Sequence, residues 1–532
     1  VVIPGLPYKS SADPANCALV SYNQDRCGRN PKKLDKARGN RQNNRYSEIV
    51  TGRSESSMNF PPRSRRDLLA SVGTGIGLLA LPALLSADSN AADSLQTEAL
   101  RNPLAPRRPH FAPKARRLVH IYLNGGPSQV DTWDPKPELT RWGGRKLPLG
   151  NLTTERETGV ALASPFRFDQ YGDSGLWCSE VFQKTARWHA DRICVIRSMY
   201  ANTPNHEQSM RLMNTGDERL SRPSYGAWLT YGLGCENQNL PGFVTLCPGL
   251  PVADSSNWRS AFLPGIYQGT YLDTRRTTAA ELIANIQNPS TPRAAQQRQL
   301  QLLTQLNRRH QQPRNDDPQL EARIQSFELA FRMQLEASDA LDLAGESQTT
   351  HQLYRTDTVH GRQLLTARRL LERGVRVVQC YHGDVQPWDS HGNIAGEHRR
   401  LGQEADGPIA AFLTDLAQRG LLDDTLVLCG GEFGRTPAVE VPIGGGNPTG
   451  RDHNHHGFSV WLAGGGIRGG MTWGSTDEFG YRAVEDRVHV HDLHATLLKL
   501  MGFDHTRLTW HHSGRDFRLT DVHGHVVEAI LA

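Results

Sequence analysis

Six short apolar runs constrain what this chain can fold into more than any other feature of its sequence. They are Leu118–Leu123, Ile193–Ile196, Phe243–Leu246, Val375–Tyr381, Thr425–Cys429 and Phe458–Ala463. Runs of this length between turn-forming residues fit strands buried on both faces. Stretches of helical periodicity lie between several of them, such as Pro408–Arg419, PIAAFLTDLAQR. That alternation predicts an α/β fold, a mostly parallel sheet flanked by helices. The first run empties into Asn124-Gly125-Gly126-Pro127-Ser128, where Gly and Pro turn the backbone sharply. In open α/β sheets the C-terminal edge of the strands is where ligands bind.

A length of 532 residues calls for two or more units or one large, elaborated domain. Residues 275–350 differ in character: they are rich in Gln, Arg, Leu and Ala, with Pro only at 289, 292, 313 and 318. They predict a helical insertion, with helices near 292–311 and 317–344. The expected form is a solvated hairpin packed on the sheet domain; the other form is a lid over the active site. The net charge of +5 is carried by residues 1–57, so bulk charge gives no support to a nucleic-acid partner. The eight cysteines form no CxxC pair, which argues against a zinc ribbon or redox dithiol and leaves disulfides open.

The front of the chain carries an address. Arg65-Arg66 precedes a mildly apolar run, Leu68–Leu85, and Ser89-Asn90-Ala91 offers a small-x-small cleavage site. This order resembles a twin-arginine export signal, here residues 58–91. Three Gly and Pro82 weaken the run as a stable membrane helix, so no span is expected after cleavage. Translation is expected to begin at Met58, residues 1–57 being a mis-assigned leader or a disordered extension. Residues 92–117 read as a Pro- and Arg-rich linker, and 118–532 as the folded domain. The expected location is periplasmic or extracellular.

Histidine is unevenly spread: 16 of 21 lie in residues 351–532. Three clusters sit beside expected strands: the segment with Asp389 and His391, the segment Gly430–Pro437 with Glu432 and Arg435, and the segment Arg451–Gly457 with His453 and His456. Imidazoles and carboxylates on loops at strand ends can converge on a divalent cation, and mixed N/O ligation suits Zn, Mn or Fe better than Ca. Competing motifs fail. His206-Glu207 starts an HExxH but lacks the second His, and Gly172-Asp173-Ser174-Gly175 stands in a chain that does not look all-β. There is no GxSxG elbow and no phosphate-binding loop.

The order of these features resembles the alkaline phosphatase and sulfatase superfamily. Residues 407–428 are similar to its helix and strand before a metal-binding pair, and Asp492–Gly502 to its C-terminal helix. More narrowly, LNGGPSQVDTWDPKP, GEFGRTP and GRDHNHHGFSVWLAGGG resemble the bacterial domain of unknown function 1501 family, over roughly 110–525. The resemblance implies an alkaline-phosphatase-like sheet and one or two divalent metals, Zn or Mn. Carried over by position, it implies metal ligands at Asn124, Asp389, His391, Glu432 and His456; His453 is a further candidate ligand from its own cluster. His206 falls on the nucleophile position. Asn124 stands where the superfamily has Asp, and Cys178 and Cys247 lack the context for formylglycine.

The expected function is therefore an exported metal-dependent hydrolase of phosphate or sulfate esters, with a small anionic ester as partner and no nucleic acid. A histidine nucleophile at His206 is chemically possible; alternatively metal-bound hydroxide attacks and His206 is a ligand or general acid. Arg435 could hold an anionic oxygen pair or form a salt bridge within its loop. Ser128 is a weaker nucleophile candidate and is expected to cap its turn. The other functional reading is a catalytically inactive envelope binding or scaffold protein.

Overall fold

Leu118, Val119, Ile121 and Tyr122 have no exposed surface, and their strand β1 (Arg117–Tyr122) lies at the middle of a nine-stranded sheet. The computed structural model describes residues 103–532 except 151, 284–290, 312–317 and 442–448. The expected leader, export signal, cleavage site and start of the linker lie outside the described residues. Among those described, no helix is long and apolar enough to cross a membrane.

Beyond β1 come β2 (Thr158–Ala161), β3 (Ile193–Tyr200), β4 (Phe243–Cys247), β5 (Thr270–Asp273) and β6 (Val377–Tyr381). They are followed by β7 (Thr425–Gly430), β8 (Gly434–Glu440), β9 (Arg451–Asn454), β10 (Phe458–Ala463), β11 (Met471–Trp473) and β12 (Val488–His489). The main sheet runs β11-β3-β10-β7-β1-β6-β4-β5, with β12 beside β3. Every pairing in it is parallel except the two made by β10. All six apolar runs are strands of this sheet, and the mostly parallel α/β architecture holds.

The helices that cover the sheet include α1 (His206–Thr215), α2 (Tyr225–Leu233), α5 (Val359–Glu372), α6 (Ile394–Gln418) and α7 (Val490–Leu500). Two more, α3 (Arg293–Gln311) and α4 (Pro318–Leu341), form the expected hairpin. Helix α6 starts well before the expected Pro408. A proline removes one backbone donor and strains the turn before it, which reads as a start signal. Here Pro408 is buried inside the helix instead, where packing on the sheet outweighs that cost.

A second difference concerns the site. GEFGRTP and GRDHNHH were expected as loops, yet they enter a small antiparallel sheet, β9-β8-β2. Pro437 is accommodated because the β8–β9 register shifts between Arg435 and Val439, a place where a proline fits a strand. The six described cysteines are buried and unpaired.

Register explains why the loops converge. Tyr122 pairs with Tyr381 on one side and with Gly430 on the other, so the three strands end level. Asn124 and Glu432 each follow two residues later, and the 382–393 loop leaves beside them. Gly125 and Gly126 have φ of +110° and +76°. A Cβ on Gly125 would lie 2.6 Å from the Asp389 nitrogen, and one on Gly126 would lie 2.7 Å from the Phe433 ring. Only glycine lets this turn press against both neighbours.

Candidate metal centre at the C-terminal edge of the sheet

Four side chains from three segments meet here. His206 is the first residue of α1, held there by Asn205, whose side chain accepts from the Gln208 amide at the helix start. Asp389 and His391 come from the loop after β6, and His453 from β9. The Nε2 atom of His391 lies 2.8 Å from Asp389 Oδ1, that of His453 lies 3.1 Å from the same oxygen, and the two nitrogens are 3.1 Å apart. His206 Nε2 approaches the other oxygen, Oδ2, at 3.3 Å but is not aligned for a hydrogen bond.

The far side of each ring is held by a carboxylate. Nδ1 of His206 meets Glu432 Oε1 at 2.8 Å, Nδ1 of His453 meets Glu155 Oε2 at 2.7 Å, and Nδ1 of His391 meets Glu440. A carboxylate only accepts, so each ring donates its Nδ1–H outward. Three Nε2 lone pairs are thereby left facing the oxygens of Asp389. Acceptors at these separations repel unless a cation or proton stands among them. A cation with nitrogen and oxygen ligands at about 2.0–2.1 Å in tetrahedral geometry spaces them roughly 3.3 Å apart. The donor set therefore fits a transition metal, and the outer carboxylates fit the partners that orient metal-bound imidazoles.

Charge follows the geometry. Burial opposes ionisation of Asp389, but Arg435 and the three imidazoles outweigh it and hold the carboxyl far below its ordinary range. Burial, with Arg435 beside it, pulls His453 down to about 3. Burial opposes protonation of His206 too, yet Asp389 and Glu432 raise it above its ordinary value. Asp452, on β9, is raised by burial and has one buried oxygen, Oδ1, with no hydrogen-bond partner. With His391 and His453 it forms a second grouping whose donor atoms lie within 4.8 Å of one another; His206, Asp389 and His453 form the first.

Not all the expected residues join this centre. Glu432 supports His206, and its second oxygen is buried and unpartnered. Asn124 donates its amide to Val385 and keeps an unpartnered buried oxygen. His456 belongs to neither grouping; its ring packs on His455 and Tyr481, because Asn454 Oδ1 accepts from the His456 amide and turns the chain away after β9. Arg435 is fully buried, so it does not reach an anion. Its donors go to the carbonyls of Gly125, Gly126 and Arg451 and to Asp389, the last at 2.6 Å. Ser128 is buried and donates to the Asp131 carboxylate at 2.5 Å; its side chain makes no capping hydrogen bond to the turn, so the expected capping role is not what it does.

Sequence reasoning missed Glu155, Arg156, Glu440 and Asp452. The segment after residue 151 threads the site: Glu155 meets His453, the Arg156 amide donates to Asp452, and its side chain donates to Glu440 at 2.7 Å. That guanidinium side chain remains 43% exposed at the rim. Asp452 was in plain view within the histidine cluster; Glu155 and Arg156 carried no signal in their own surroundings.

Among solved structures the chain is similar to the PsFucS1 sulfatase from Pseudoalteromonas sp., with 11% identity, a TM-score of 0.31 and coverage of 78% of this chain and 72% of that one. It is similar to an alkaline phosphatase from the Antarctic bacterium TAB5, at 8% identity and TM-score 0.28, over 68% and 95% of the two chains. A third is the lipoteichoic acid synthase LtaP from Listeria monocytogenes, at 9% identity and TM-score 0.28, over 80% of each chain. No curated protein matches. A profile of the family described as "Protein of unknown function (DUF1501)" matches residues 115–531, and the chain belongs to that family.

Proposed function

We propose that the protein is a metal-dependent hydrolase of phosphate or sulfate esters. The observation that carries this reading is the convergence of three imidazole Nε2 atoms on one carboxylate, each ring backed by another carboxylate. His391, His453 and Asp389 would hold the cation, with the free oxygen of Asp452 on its second side. When bound, the metal supplies Lewis-acid stabilisation of the oxygens that gain charge during ester cleavage.

The chain's own residues do the rest. His206, with Nδ1–H held by Glu432, takes up a second proton at Nε2 beside Asp389. As imidazolium it hands that proton to the departing ester oxygen while a water adds to the phosphorus or sulfur, and the proton that water releases restores the imidazolium. Arg156, anchored by Glu440 with its outer face exposed, takes the anion-binding role that the buried Arg435 cannot fill. Arg435 fixes Asp389, and Gln386 donates to that carboxylate's other oxygen at 2.7 Å. Export by the twin-arginine route belongs to the same proposal, and N-terminal sequencing of the mature protein tests it.

Metal analysis of protein purified without added metal, followed by assays on aryl phosphates, phosphodiesters and aryl sulfates, tests the reading. The expected result is a stoichiometric transition metal and ester hydrolysis that His391→Ala abolishes. Absence of metal together with a rate equal in wild type and His391→Ala would leave the binding or scaffold role in its place.

A further inference from the structure

The α3–α4 hairpin lies far from this centre. Leu329 and Met333 of α4 line a cavity together with Pro241 and Thr270, which stand at the N-terminal ends of β4 and β5, whereas the centre lies beyond the C-terminal ends. Arg373, just ahead of β6, reaches Asp339 of α4 at 2.6 Å. The hairpin is therefore no lid. Helix α4 has a second apolar stripe, in which Phe327 is exposed, Phe331 half-buried and Ile324 buried. Helix α3 adds Leu300, Leu303 and Thr304, and these six line a groove of about 760 Å³. None of the described α3 side chains is buried. Leu302, Leu303, Leu306 and Phe327 are 57%, 50%, 52% and 66% exposed.

Apolar side chains so concentrated on a charged, soluble surface mark an interaction face. We propose that this face docks a second copy of the same chain, hairpin on hairpin, as a two-fold four-helix bundle. Shape favours this: the face offers both a groove and a projecting ring, Phe327, and two-fold symmetry gives each ring the other copy's groove. Charge favours it as well. Helix α3 carries Arg293, Arg298, Arg308 and Arg309 and no acid, whereas α4 carries Glu321, Glu328 and Glu336 against Arg323 and Arg332, its Asp339 being taken by Arg373. Antiparallel packing sets the basic helix of one copy beside the acidic helix of the other.

The size is sufficient. A 19-residue helix is about 28 Å long, and two side by side are about 20 Å broad. The pair presents roughly 600 Å² per copy, near the lower limit for a specific dimer, and the expectation is a weak dimer with a dissociation constant of about 1–10 μM.

Sedimentation velocity on the full chain across that range tests the proposal. The expected result is a monomer–dimer equilibrium, weakened roughly 30-fold by Phe327→Ala and abolished by Leu303→Glu with Phe327→Glu. Circular dichroism and thermal unfolding establish that the variants keep their fold, and Phe327→Ala is mild enough to serve if the double variant does not. A wild-type monomer at about ten times the upper concentration, or a dimer unmoved by both variants, overturns it. So does a monomer that floats with phosphatidylglycerol vesicles but not with phosphatidylcholine vesicles, which would assign the face to a membrane.

Discussion

The two ends of the sheet are built on opposite principles. At the C-terminal edge, the side chains of the centre are held by residues distant in sequence: Glu432 by the Gly125 amide, His453 by Glu155, and His391 by Glu440. On the side of the N-terminal ends, the hairpin is two helices whose form follows from local sequence, with one face attached and the other exposed. The difference teaches that rigidity here is concentrated where charge converges. A substitution at the centre disturbs several partners together, and one on the outer face of the hairpin disturbs few.

The largest effect is expected at Asp389. Asp389→Ala removes the oxygens on which three imidazoles converge, so bound metal should be lost. Hydrolysis should fall about 10³-fold or more, as expected when several kcal/mol of transition-state stabilisation disappear. Metal analysis and steady-state rates on the purified variant check this. Retention of both metal and rate would break the contrast at its strongest point.

Next comes a pair that fastens the site from below. Arg451 donates to Asp131 at 2.7 and 3.1 Å, and both side chains are fully buried. Asp131→Ala strands a buried guanidinium and should cost about 3–5 kcal/mol in denaturant unfolding. Burial raises the Asp131 pKa, but Arg451 outweighs it and holds the carboxyl below its ordinary value. A depressed folded pKa means the stability gain is present above the unfolded value, about 3.9, and is lost as pH falls through the folded one. Unfolding measured from pH 6 downward should show a flatter acid limb in Asp131→Asn than in wild type.

The same contrast explains what the sequence disclosed. The central strands were legible because burial on both faces leaves uninterrupted apolar runs, and the hairpin because its helices repeat locally. Asp389, His391 and His453 stood out as chemistry-bearing types beside strand ends. Glu155 and Arg156 did not, since only the fold of the 152–157 segment across β8 and β9 gives them partners. Arg435 reads equally as an anion clamp or a salt bridge, and only burial shows its donors spent on carbonyls and Asp389. His456 misled through its neighbours, three residues from His453 on a chain that turns away.

Smaller effects should follow in the outer carboxylates. Glu155→Gln and Glu440→Gln keep the size of the side chain but lose the charge that fixes the Nδ1–H tautomer. Metal affinity should fall about 10–100-fold in each, the usual scale for partners behind a ligand. Competition with a chromogenic chelator reads this directly. Glu440→Gln should show the larger drop, because Glu440 also anchors Arg156. Equal affinity in wild type and both variants would mean that the rings are oriented by packing alone.

The smallest effect belongs to the hairpin. Leu302 is 57% exposed on α3, and its side chain contributes nothing to the buried core. In the monomer, Leu302→Gln exchanges an exposed apolar group for a polar one of similar helix propensity. Its unfolding free energy should change by no more than about 0.5 kcal/mol, with metal content and rate unchanged. Chemical denaturation at submicromolar concentration, where any dimer has dissociated, isolates this term. A loss of 2 kcal/mol or more, on the order of a core truncation, would show that α3 is bound into the body as tightly as the strands are, and the contrast between the two ends of the sheet would fail.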